Sequence, residues 1–196
     1  MKIVDWVTLV DRGFSTTSEF HIVTNHVRQA IQAVVWPPGS HKFILNPSTG
    51  RGRGEGNGVT PIKNAFVTSL VSEGWATEVQ TFDAHYRFPS DTFKPFVVEW
   101  ETGNISSSHR AINRIAKGML EEEVSGGLLV VPSRPLYRFL TDRVGNSAEV
   151  APYYDLWRRW QELTEFLYLA VVVVEHDGTD PNVPRIAKST DGRAML

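Results

Sequence analysis

Cysteine is absent from the 196-residue chain, which excludes disulfides and Cys-ligated zinc. Long apolar runs are missing too. No stretch reaches the length of a membrane span, and the opening MKIVDWVTLVDRG has no signal-peptide core. The cytoplasm is the default expectation. Charge of either sign is not in excess: the net charge is −2. That excludes a histone-like basic protein. It does not exclude a nucleic-acid enzyme, whose bases can line one cleft while its acids gather at a metal site. The six His form no H-x-x-x-H pair and G-x-S-x-G does not occur, which argues against a zinc site and a Ser hydrolase.

What is present is ordinary globular material. The composition is 41% hydrophobic and 21% charged, with six Trp and ten Phe. Such a chain can bury a sizeable core. A single domain over residues 1–196 is expected, with a Gly-rich loop at 46–60 and a polar tail at 177–196.

Residues 3–10 read as a short strand. A helix follows from STTSEF through Val35, with Phe20, Val23, Val27, Ile31 and Val34 on one face. WPPG ends it. The segment NPSTGRGRGEGNGVT carries Arg51 and Arg53 but lacks the GK[ST] ending of a phosphate loop. A surface loop and a basic arm that orders on DNA are the other readings. TPIKNAFVTSLVSEGW predicts a helix capped by Thr60, with Pro61 at its first position and Gly74 as its stop.

Residues 76–88 read as one strand and 95–101 as the next, an antiparallel hairpin around PSDTFKP. SSSHRAINRIAKGMLEEE predicts a helix capped by a serine, with Ile112, Ile115, Met119 and Leu120 inward. GGLLVVPSR is a buried strand, with a helix after it from about Leu136 to Arg143. Residues 152–165 look helical, with Leu156, Trp157, Trp160 and Leu163 apolar. The four valines of FLYLAVVVVEHD suggest a central strand covered on both faces. The element order predicts an α/β fold with a mixed central sheet flanked by helices.

One stretch breaks this pattern. PFVVEWETGN runs apolar and then places Glu99 and Glu101 two residues apart, on one face of a strand. Like charges this close raise each other's pKa unless something neutralises them. A divalent cation does so, and Mg²⁺ typically takes one or two carboxylates plus phosphate oxygens. Asp83, on the neighbouring strand, is the preferred third acid. Asp91, in the turn, is the alternative. The chemistry such a site supports is phosphodiester hydrolysis. Asp83 and Glu99 would hold the metal, and Glu101 would join them or act as general base. The competing reading makes Glu99 and Glu101 a solvated strand face, since E-x-E is a short motif.

An Asp followed by a strand carrying acid-x-acid resembles the PD-(D/E)XK nuclease superfamily. The E-x-E form is similar to the BamHI/BglII/BstYI-like group of type II restriction endonucleases. The early amphipathic helix and the segment TPIKNAFVTSLVSEGW, just before the catalytic hairpin, are also similar to that group, and the resemblance covers roughly residues 15–175. It implies that Asp83 is the metal-binding Asp, Glu99 the bridging Glu, and Glu101 the position that is Lys elsewhere in the superfamily. The 16 residues from Asp83 to Glu99 are near the longer gaps of the group and keep Asp91 open. No PD dipeptide is present, because Phe82 precedes Asp83. The implied enzyme is a homodimer astride a palindromic double-stranded DNA site, cutting both strands with Mg²⁺. A repair or junction nuclease of the same superfamily is an alternative, as is a catalytically silent DNA-binding protein on this fold.

Candidate DNA contacts follow the acids. Asn104, Ser106, Ser107, Ser108, His109 and Arg110 sit where a helix start would offer N–H groups to a phosphate. Asn and Arg also suit base edges in the major groove. Ordinary capping is the plain reading of these serines, and a surface position that of His109. Arg134, with Ser133 and Arg138, lies at a strand end where ligands gather in α/β folds. Arg185, Lys188 and Arg193 make the tail a candidate arm, or a frayed end.

Overall fold

The computed structural model of the chain describes residues 1–49, 56–77, 82–90, 92–141, 144–162 and 168–188. Its centre is a six-stranded sheet with the spatial order β1-β7-β6-β5-β4-β3. These strands are β1 (Lys2–Asp11), β3 (Ala76–Thr77), β4 (Ala84–Tyr86), β5 (Phe96–Trp100), β6 (Gly126–Pro132) and β7 (Tyr168–Glu175). β5, β6 and β7 run parallel, and the strands outside them pair antiparallel. The sheet is therefore mixed, as the element order predicts.

Helices cover both faces. α1 (Ser18–Ala33) and α2 (Thr60–Ser72) pack on one side, while α3 (Ile105–Leu120) and α6 (Tyr154–Arg158) pack on the other. Alternation along the strands sorts their side chains. Val98, Leu128, Val130 and Val172 join Val27, Ile31 and Phe66 in one core. Val97, Leu129, Val131 and Val171 join Ile112, Ile115 and Trp157 in the other. All eight residues of β7 are buried, which explains its unbroken apolar run. α3 is the crossover between the parallel strands β5 and β6, so its N-terminus stands at the C-terminal end of β5.

Several local expectations are corrected. α1 stops at Ala33, two residues early, because Val34 is already extended. Residues 76–88 are not one strand: β3 and β4 pair antiparallel with each other, Ala76 opposite His85. Val59, not Thr60, precedes the first residue of α2. Gly74 ends that helix as expected, at φ +86, with the Trp75 N–H donating to Leu70 O. Asn104 caps α3 in place of a serine. Leu120 faces outward, 55% exposed. The helix after β6 is the single turn α4 (Arg134–Tyr137), begun earlier than expected because Ser133 caps it.

The described residues 152–162 do not form one helix. After α5 (Ser147–Val150) come a 3-10 turn, α6 and a second 3-10 turn, and Leu156 is 57% exposed. Leu163 lies outside the described residues. The described part of the tail is not frayed. β8 (Gly178–Thr179) pairs in parallel with β2 (Ile44–Leu45), and Ile186 is buried. No helix among the described residues is long and apolar enough to cross a membrane.

Asn57 ties three irregular segments together and is 0% exposed. Its Nδ2 donates to Asn46 O at 3.0 Å and to Phe139 O at 2.9 Å, and its Oδ1 accepts from the Ile186 N–H at 3.2 Å. Its backbone bonds to Phe139 and Thr141 as well. Asn57→Ala would leave Asn46 O and Ile186 N–H without these partners in a buried place. We expect a loss of about 2–4 kcal/mol, since each stranded group costs roughly 1–3 kcal/mol. Urea denaturation of the variant measures it, and a loss below about 0.5 kcal/mol would refute the hub.

Candidate active site

β5 carries its acids to the edge of the core. Glu99 is inside the strand and pairs with Leu129 of β6. Glu101 lies just beyond, its N–H held by Val130 O at 2.9 Å. Both are buried, at 7% and 5% exposure, so the solvated-face reading is wrong. Burial raises the Glu99 carboxyl to about 7, with Asp83 adding to the rise while Arg114 and Lys63 oppose it. Burial likewise raises Glu101 to about 7.

Asp83 sits at a bend directly before β4, not inside a strand as expected. The register Ala84–Val98 nevertheless brings it alongside Glu99. Its Oδ1 accepts from Lys63 Nζ at 2.7 Å and its Oδ2 from the Trp100 N–H at 2.8 Å. Glu99 Oε1 accepts from Arg114 Nη1 at 2.8 Å. Glu101 Oε1 accepts from the Gly103 N–H at 2.5 Å. Asp83, Glu99 and Glu101 are therefore brought together. The alternative acid, Asp91, lies outside the described residues.

Two members of this cluster were missed by the sequence reading. Arg114 had a signal, because it stands four residues after Arg110 on a helix that leaves the acids. Lys63 had none: it is separated from Asp83 by 20 residues and a helix end.

The candidate DNA contacts divide. Asn104 is exposed but spends its Oδ1 on the N–H groups of Ser106 and Ser107, at 3.0 and 3.3 Å. Ser106 and Arg110 are exposed, and Arg110 Nη2 donates to Ser107 Oγ at 2.9 Å. Ser108 is 0% exposed and cannot meet a DNA surface. Its hydroxyl lies close enough to Glu101 to pull that carboxyl's pKa down, although among the described residues no group is in hydrogen-bonding geometry with it. His109 is turned away into an aromatic cluster, its ring centroid 4.3 Å from Tyr153 and 5.5 Å from Trp157. Arg134 is exposed at the start of α4, and Arg185 and Lys188 are exposed on either side of buried Ile186. Arg51, Arg53 and Arg193 lie outside the described residues.

Two buried carboxylates stand beside a third acid at the end of a parallel strand, near a helix N-terminus. The sequence matches the family model for restriction endonuclease BamHI over residues 1–193. The chain belongs to the BamHI restriction endonuclease family. It is 44% identical over 202 residues to the type II restriction enzyme OkrAI of Oceanobacter kriegii, covering 100% of both chains. It is 31% identical over 182 residues to the type II restriction enzyme BamHI of Bacillus amyloliquefaciens, covering 86% of this chain and 80% of that enzyme. A member of this family is a type II site-specific deoxyribonuclease, and its restriction-endonuclease fold is the mixed sheet described above.

The donor set fits a hard divalent cation. Among the described residues no three acidic or His side chains close into a metal cage. Mg²⁺ does not need one, because it keeps waters and takes further oxygens from substrate phosphates. Glu99 and Glu101, raised to about 7 by burial, are costly as bare anions, and a cation relieves that cost.

Proposed function

We propose that this BamHI-family enzyme hydrolyses double-stranded DNA at a specific palindromic site, with Mg²⁺ held by Asp83 and Glu99. The observation that carries the reading is the burial of Glu99 and Glu101 beside Asp83 at the end of β5. Mg²⁺ bound there would polarise the phosphate and acidify the attacking water. Glu101 would serve as a further ligand or as the base that takes the proton. Its pKa of about 7 suits a base working at neutral pH.

The start of α3 would supply the first DNA contacts. Ser106, Ser107 and the helix N–H groups suit a phosphate, while Arg110 and the amide of Asn104 suit base edges. Arg134, Arg185 and Lys188 would add phosphate contacts, each weakening binding when salt is raised. A two-fold dimer would present one such site to each strand. Leu120 and Leu156, exposed on the α3 and α6 side, support that face as the dimer contact.

The test is cleavage of unmethylated phage DNA with Mg²⁺ and with EDTA. We expect discrete fragments with Mg²⁺ only, whose sequenced ends share one palindrome. A smear, or cleavage that survives EDTA, would defeat the proposal.

A further inference from the structure

We propose that Lys63 is a positioning residue of the cleavage site, acting through Asp83 from a helix that carries none of the acids. The inference rests on the reading of Asp83 as a cation ligand and extends it to α2.

Asp83 lies at a bend, before the first ladder pair of β4. The pleat of the sheet therefore does not aim its carboxylate. Two donors do so from different directions: Lys63 Nζ holds Oδ1 at 2.7 Å, and the Trp100 N–H holds Oδ2 at 2.8 Å. With one donor on each oxygen, the carboxylate plane is fixed, and each oxygen keeps a lone pair for a cation.

One donor comes from α2, and the strand residue that supplies the other packs its ring against α2. Lys63 stands one turn into the helix, next to buried Ile62. The Trp100 ring lies 4.7 Å from that of Phe66, on the following turn of α2. α2 is itself anchored by Phe66 and Leu70, both 0% exposed. Asp83 is thus held from α2 through Lys63 Nζ and from β5 through the Trp100 N–H.

The charges agree with a resident role. Asp83, Glu99 and Glu101 face Lys63, Arg114 and Arg110, so with all groups ionised the three acids are balanced by three cations. A divalent cation bound there would leave the site positive, as a phosphodiester requires. Without Lys63 the loaded site would carry one positive charge fewer and Asp83 would lose the donor on its Oδ1. A lysine that only competed with the cation would have the opposite signature, because its removal would tighten cation binding.

The experiment compares the full chain with Lys63→Met and Lys63→Arg. Mn²⁺ binding is followed by the electron paramagnetic resonance of free Mn²⁺, and DNA cleavage by its kcat and KM. For Lys63→Met we expect the Mn²⁺ midpoint to rise about 10-fold. Its kcat should fall about 100-fold, with KM within about threefold of the parent. Lys63→Arg should recover both to within about 10-fold, since it restores a donor and a charge. An unchanged or tighter Mn²⁺ midpoint in Lys63→Met overturns the proposal, as does an effect confined to thermal stability. If Lys63→Met does not fold, Lys63→Gln is judged by the same Mn²⁺ criterion. A parent protein that binds Mn²⁺ and cleaves normally beside unaffected variants removes Lys63 alone. A parent that binds no Mn²⁺ removes the reading of Asp83 as well.

Discussion

Glu99→Gln will lose DNA cleavage by about 10³-fold or more while DNA binding stays within a few-fold of the parent. The substitution keeps the shape of the side chain and removes its charge. Glu99 lies alongside Asp83 and is paired with Arg114 at 2.8 Å. A neutral amide there would offer a donor where a cation requires an anion. It would also leave the Arg114 guanidinium without its charged partner. Loss of one charged ligand is asked to supply about 4 kcal/mol, which is 10³-fold in rate at 1.36 kcal/mol per decade. Groups on the exposed start of α3, such as Arg110, are untouched, so DNA affinity should survive. Single-turnover cleavage beside a filter-binding titration separates the two. Cleavage within about tenfold of the parent would mean that Glu99 is not a ligand, and the site would have to be rebuilt around other acids.

How much of this could be read from the sequence depends on the range of the interaction. The long periodic elements were legible because each announces its own environment. The stripe of α3, the apolar alternation of β5 and the four valines of β7 all state which face is covered. Glu99 was legible as a strand residue, while Glu101 lies one residue past the end of β5. Whether the acids met water was not legible, because their neighbours come from distant segments: Arg114 of α3 on Glu99, and Val59, Ile62 and Leu136 near Glu101. The pairing of β3 with β4 inside 76–88 was hidden for a related reason: alternation looks the same on two paired strands. β2 and β8 are two residues each and join positions 44–45 with 178–179, too short for any pattern. The misread cap of α3 was a choice among good candidates, since Asn and Ser cap almost equally well. The cations on the acids were the least legible part, because Lys63 reaches Asp83 through the fold and not along the chain. Asp83 was preferred on local pattern, in a strand that does not contain it, and the family resemblance implied the same residue while keeping Asp91 open.

The same burial that prepares the site should weaken the metal-free protein, and Glu101→Gln will expose this. Glu101 titrates near 7 in the folded chain against an ordinary value of 4.5. Below about pH 4.5 the carboxyl is protonated both folded and unfolded, and burying it carries no ionisation cost. As pH rises from there, the unfolded chain releases its proton while the folded chain retains it. The stability advantage of the neutral form is thus lost progressively, and it is gone once pH passes about 7. At pH 8 the folded protein carries a buried anion at a cost of about 2–3 kcal/mol. Glutamine can accept the Gly103 N–H as glutamate does, but it has no charge to bury. Metal-free Glu101→Gln should therefore melt about 4–10 °C above the parent at pH 8, with the gap closing toward pH 5. Mg²⁺ should narrow the gap at pH 8 by stabilising the parent, since a ligand that binds only the folded state raises its stability. The variant should meanwhile be severely impaired in cleavage. Thermal melts of both proteins at pH 5 and pH 8, with EDTA and with Mg²⁺, measure each part. A variant that melts below the parent at pH 8 would show that the ionised carboxylate is already well compensated by Gly103, Ser108 and Arg110, and that no cation is needed to settle it. A variant that is more stable and inactive would show that the fold carries Glu101 at a cost in stability for the sake of the chemistry.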